Sequence, residues 1–253
     1  MKLLIPKVPA RMKPLSGFAH FAHLTLLTLL PGLLYILVRV DFSQLGFALI
    51  VLSKWRMFAV RPRHWPANIR ANAADIMVGI SLLVFMINSS TRVWQFVWAL
   101  AYGVWLLVIK RASNVFMVSV QALIAQSLAL MALFLGLGDA PIVVLVGLTW
   151  VICYVAARHF FFSFEEAYTK LLSYTWGYFG AALVWILAHW LLFYGVVAQP
   201  TLLLSVLGFG LAALYYLEKT DRLSNLLRRQ FVFVVVAIVT IVIAFSDWGD
   251  KAI

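Results

Sequence analysis

Nine apolar stretches divide this chain, and its Lys and Arg residues fall almost wholly in every second connector between them. That alternation constrains the fold more than any motif does. The stretches cover approximately 17–38, 42–59, 71–89, 92–109, 115–136, 141–157, 171–194, 200–217 and 230–246. A helix needs about 20 mostly apolar residues to cross the roughly 30 Å hydrocarbon core of a bilayer. One set of connectors holds Lys2, Lys7, Arg11, Lys13, Lys54, Arg56, Arg61, Arg63, Arg70, Lys110, Arg111, Arg158, Lys170, Lys219, Arg222, Arg228 and Arg229. The other holds only Arg39, Arg92 and Lys251. Short cytoplasmic loops carry the Lys/Arg excess. The expected architecture is therefore an all-α, polytopic integral membrane bundle of nine transmembrane helices, N-terminus inside and C-terminus outside.

Composition points the same way. Of 253 residues, 64% are hydrophobic and 11% charged, whereas soluble domains carry about 25% charged residues. The spans and their connectors use nearly the whole chain, so 1–253 reads as a single transmembrane domain. The net charge of +11 fits basic loops meeting anionic lipid head groups. Nucleic acid is not expected, because no aromatic and basic platform lies outside the spans. Cys153 is the lone cysteine, which excludes an intramolecular disulfide and a thiolate metal cluster. Pro6, Pro9 and Pro14 interrupt any signal-like apolar region, so the first span reads as a retained anchor.

The second stretch is the weakest. Its strictly apolar part is only 45–52, and it reaches spanning length only if Lys54 and Arg56 snorkel to the interface. Its crossing keeps the basic arm and the basic 54–70 segment on one side. Small residues mark close helix packing: Ala122, Ala125 and Ala129 on the fifth span, Gly177, Gly180 and Ala181 on the seventh, and Ser205, Gly208 and Ala212 on the eighth.

Chemistry is best sought in the 54–75 segment. Asn68, Asn72, Asp75 and Gly79 are spaced four, three and four apart, which puts them on one helical face. Pro66 suits the first turn of that helix. The result is a polar stripe that runs from the interface into the membrane. An ionisable group there needs a partner, either Arg61, Arg63, Arg70 or a residue of another helix. In the functional reading Arg61, Arg63, His64 and Arg70 hold a phosphate, which the planar guanidinium fork suits, while Asn68, Asn72 and Asp75 complete the pocket. In the plainer reading the basic residues only set topology, and Asp75 favours the positive end of its own helix.

Asn114, Gln121 and His189 with the stripe outline a second possibility, a polar path. His20 and His23 read as interfacial, with no metal expected and no cofactor. Glu165 and Glu166 read as part of a charge-balanced loop beside Arg158, His159 and Lys170. No Gly-rich phosphate loop or His-Glu-x-x-His motif occurs, so nothing points to an enzyme class. The leading expectation is a protein of a bacterial-type plasma membrane that binds or handles an anionic amphiphile, a phospholipid or a lipid-linked phosphate, at the cytoplasmic leaflet. The alternatives are a small-solute permease or permease subunit, and a non-catalytic assembly subunit. Partners are expected to be membrane lipids, with further membrane proteins or a second copy of the chain left open.

Overall fold

The computed structural model describes residues 18–55, 61–188, 193–194 and 197–245. The basic arm, Arg56, His189 and Lys251 lie outside these residues, as do the side chains of His20 and His23. The described residues form nine α-helices: α1 (Phe18–Arg39), α2 (Ser43–Leu52), α3 (Trp65–Ile87), α4 (Arg92–Val104), α5 (Val115–Leu137), α6 (Ile142–Phe162), α7 (Thr169–Leu187), α8 (Gln199–Lys219) and α9 (Asn225–Ala244). A 3-10 turn, Pro62–His64, leads into α3, and a π turn, Trp105–Ile109, continues α4. Thr91, Asn114 and Ser224 cap α4, α5 and α9 by accepting the backbone N–H of the third residue of each helix, which satisfies a donor each helix start leaves open.

Among the described residues, six helical segments are long and apolar enough to cross a membrane: Ala67–Ile87, Arg92–Ile109, Val115–Leu137, Ile142–Phe162, Gln199–Lys219 and Asn225–Ala244. The chain thus has the make-up of a membrane protein. Each lies on one of the nine apolar stretches. The other three stretches also form helices, but differently. Helix α1 spans 22 residues and contains Pro31. Helix α7 is diluted by Lys170, Ser173, Thr175 and two tyrosines, and it ends at Leu187. The expected span to residue 194 is overturned there: Phe193–Tyr194 pairs antiparallel with Val197–Ala198. Aromatic and β-branched residues flanking Gly195 favour strand over helix.

Helix α2 is the larger correction. Its ten residues measure about 15 Å, half the hydrocarbon thickness. It runs antiparallel to α3 in register: Gly46 lies against Leu83, and Ile50 against Gly79. The next step of four brings Lys54 to Asp75. Lys54 therefore does not snorkel to an interface. It is buried, because its ammonium finds a carboxylate inside the bundle.

The core has two centres. Helices α1–α5 enclose Leu34, Ile50, Val78, Leu83, Met86, Tyr102 and Leu106. Helices α5–α8 enclose Leu130, Phe134, Cys153, Val184 and Leu204. Helix α5 joins them, with Ala122, Ala125 and Ala129 buried. Helices α6 and α7 pack most closely. Trp150 stacks on Tyr154 with ring centroids 5.2 Å apart, and both meet Tyr174. Opposite, Gly177 and Gly180 admit the α6 surface: a Cβ on Gly180 would stand 2.7 Å from Cys153 Sγ. Gly180→Val is expected to wedge the pair apart and lower stability by about 1–3 kcal/mol, the usual penalty for overpacking. Unfolding in detergent checks it; an unchanged midpoint would refute the close packing. Helix α9 behaves oppositely, with no buried residue, and packs against α8.

Candidate functional site

Asp75 sits on the buried face of α3, with one oxygen to each side of a small polar cluster. Its Oδ1 accepts the indole N–H of Trp105 at 2.9 Å. Its Oδ2 meets the ammonium groups of Lys54 and Lys110. Lys54, Asp75 and Trp105 are buried, and Lys110 is partly exposed.

The π turn explains how α4 supplies two of these groups. In an α-helix, residues five apart point about 140° away from each other. Here Lys110 N donates to Trp105 O at 2.9 Å, the wider ring of a π turn. That ring brings Trp105 and Lys110 onto one side, where both reach Asp75. Gly79, one turn deeper, leaves room for the buried Tyr102: a Cβ there would stand 2.8 Å from the phenol oxygen.

The polar stripe does turn inward, for Asp75 and Gly79 are buried and Asn68 and Asn72 half-buried. Asn72 Nδ2 donates back to Asn68 O at 2.9 Å. Arg61, Arg63, His64 and Arg70 are exposed around the start of α3, and Arg63 Nε donates to His64 Nε2 at 2.9 Å. Among the described residues none of these three arginines pairs with a carboxylate. The partners of Asp75 thus come from other helices, as one branch of the sequence reading allowed. Asn114 and Gln121 have separate local roles. Asn114 caps α5 through Met117 N at 2.7 Å. Gln121 Nε2 donates to Ile109 O and Ala112 O at 2.6 and 2.9 Å, which satisfies carbonyls that the end of the π turn leaves open.

A second feature lies between α5, α6, α7 and α8: a part-open cavity of about 430 Å³. Ligand pockets span roughly 300–1,000 Å³. Its wall includes Leu123, Ala156, Phe160, Leu172, Phe179 and Leu207. The polar wall groups are already occupied. Gln126 Nε2 donates to Leu204 O at 3.1 Å, and its Oε1 accepts Trp176 Nε1 at 2.8 Å. Thr175 Oγ1 bonds back to Leu171 O at 3.0 Å. The interior therefore suits hydrocarbon and offers little to a polar solute. Ala122, Gly208 and Ala212, read from the sequence as close-packing positions, also line this cavity, and Gly208 still packs closely on Gln126.

The cavity reaches the end of the bundle that carries most basic residues. Along α8 its wall runs from Leu207 to Tyr215, about 12 Å. Tyr215 is held among Phe160, Phe161 and Phe164, with ring centroids 5.7, 5.2 and 5.2 Å away. Its hydroxyl donates to Glu166 Oε2, and Lys219 Nζ lies 2.8 Å from the same oxygen. The Lys219 ammonium, with the Tyr215 hydroxyl, holds the Glu166 carboxyl below the ordinary carboxylate range, so it is ionised at neutral pH. Glu165, beside it, has φ of 52°, a left-handed conformation uncommon outside glycine.

Sequence reasoning missed Lys54, Lys110, Trp105, Tyr215 and Lys219. The legible signal was a lone Asp inside a span with lysines at neighbouring span ends; nothing local marked Tyr215. No family model, no curated protein and no solved structure matches this chain.

Proposed function

We propose that this chain is a multi-pass protein of a bacterial-type plasma membrane, N-terminus inside, that binds an anionic amphiphile from the leaflet at its basic end. The observation that carries the reading is the apolar α5–α8 cavity, with its polar groups satisfied, reaching the basic end of the bundle. A hydrocarbon chain fits such a wall, and basic side chains nearby attract a phosphate. Arg61, Arg63, His64 and Arg70 form an exposed basic surface that draws anionic head groups to this end. Asn68 and Asn72 lie beside that surface, and Asp75 steadies the helices beneath it.

Lipid mass spectrometry of the purified chain tests the reading. Anionic phospholipid is expected to co-purify, and less of it with Arg61→Gln/Arg63→Gln. Equal retention of anionic and zwitterionic lipid, unchanged by the double substitution, would defeat the proposal. The polar-path reading gains no support from Asn114 and Gln121, neither of which lines this cavity.

A further inference from the structure

Transfer of an acyl chain from lipid into an apolar protein cavity gains little, because lipid tails are as apolar as leucine. Selectivity for an amphiphile must then come from the head-group end. The rim of the α5–α8 cavity has one polar constellation suited to this, in which Tyr215 and Lys219 converge on a single oxygen of Glu166. A hydroxyl and an ammonium aimed at one anionic oxygen are what a phosphate oxygen requires. The aromatic cage of Phe160, Phe161 and Phe164 fixes the tyrosine, and the Lys219 ammonium lies 5.4 Å from the Tyr215 ring centroid. The donors are thus pre-organised. Their present acceptor sits on the short α6–α7 loop, next to Glu165, which is in a left-handed conformation.

We infer that Tyr215 and Lys219 form the phosphate subsite of the cavity, and that the Glu166 carboxylate fills this subsite until a phosphate-bearing amphiphile displaces it. The inference rests on the amphiphile reading and adds to it the head-group ligands and an internal competitor. The ligand class is a net-anionic phosphate ester carrying at least one hydrocarbon chain, without the choline cation that neutralises the phosphate of phosphatidylcholine. Its chain lies along Leu207–Tyr215, and its phosphate takes the donors that Glu166 vacates. Because the carboxylate both occupies the donors and repels an incoming anion, its removal strengthens binding.

The full-length chain in phosphatidylcholine nanodiscs, titrated with phosphatidylglycerol and read by native mass spectrometry, tests this. Glu166→Gln is expected to bind phosphatidylglycerol about tenfold more tightly, and Lys219→Gln about tenfold more weakly. Tyr215→Phe should also weaken binding. Inorganic phosphate should not displace the lipid, since the bilayer presents the lipid head group at a far higher local concentration; displacement by phosphate alone would overturn the joint subsite. Weaker binding by Glu166→Gln would mean that the carboxylate recognises the head group directly, and unchanged binding that it does not compete; either sinks the inference. If the wild-type chain shows no preference for phosphatidylglycerol, the amphiphile reading itself fails. If it shows the preference but Glu166→Gln does not alter it, the inference fails while the amphiphile reading stands. Matching circular dichroism of each variant secures the comparison.

Discussion

Asp75→Asn is expected to destabilise the protein by about 3–5 kcal/mol, the usual loss when one partner of a buried ion pair is removed. An asparagine oxygen can still accept the Trp105 indole N–H. It cannot offset two ammonium groups. Lys110 is partly exposed and can turn toward water, whereas Lys54 is buried and has no second carboxylate among the described residues. Three elements therefore loosen together: the end of α2, the middle of α3 and the π turn after α4. Unfolding of the purified variant in detergent reads the loss directly. The double variant Lys54→Met/Asp75→Leu should recover much of it, because well-packed apolar residues commonly replace a buried ion pair without penalty. A double-mutant cycle with near-zero coupling would show that the pair does not hold α2 to α3. The result also separates roles, since a structural Asp75 lowers stability with or without lipid, while a ligand-binding one does so only when lipid is present.

Ala212→Trp is expected to reduce retained anionic phospholipid at least tenfold, about 1.4 kcal/mol, while the chain still folds. Ala212 lines the α5–α8 cavity on α8, and an indole there occupies space the hydrocarbon chain needs. Overpacking is not the concern it is at Gly180, because the side chain enters a void of about 430 Å³. Lipid extraction with mass spectrometry, beside a detergent unfolding midpoint near wild type, checks both halves. Unchanged lipid content in a folded variant would place the amphiphile elsewhere, with the exposed surface of Arg61, Arg63 and Arg70 the next place to look. Gly208→Ala is a milder companion. Its Cβ would stand 2.9 Å from Gln126 Nε2, so it should disturb the link between α5, α7 and α8 before it fills the cavity.

Helix ends were legible where the apolar pattern ended sharply. The 92–109 stretch coincides with α4 and its π turn, and 115–136 falls one residue short of α5. Prediction failed where apolar content misstated conformation. Among its described residues the 42–59 stretch holds a ten-residue helix, and the end of 171–194 becomes a strand. In the candidate site, the inward face of the polar stripe was readable from its spacing, but the partners of Asp75 were not.

The sequence by itself determined that the chain is helical and membrane-like, and which connectors hold its basic residues. Those properties follow from apolar length and charge within runs of about 20 residues, where each helix satisfies its own backbone. Tertiary structure alone decided that Lys54 and Lys110 share Asp75, that Gln126 of α5 reaches Leu204 of α8 across 78 positions, and that a cavity opens beside Ala212. Ion pairs and voids are properties of how distant helices meet. Local patterning sets which face a side chain occupies; only packing sets what stands opposite it.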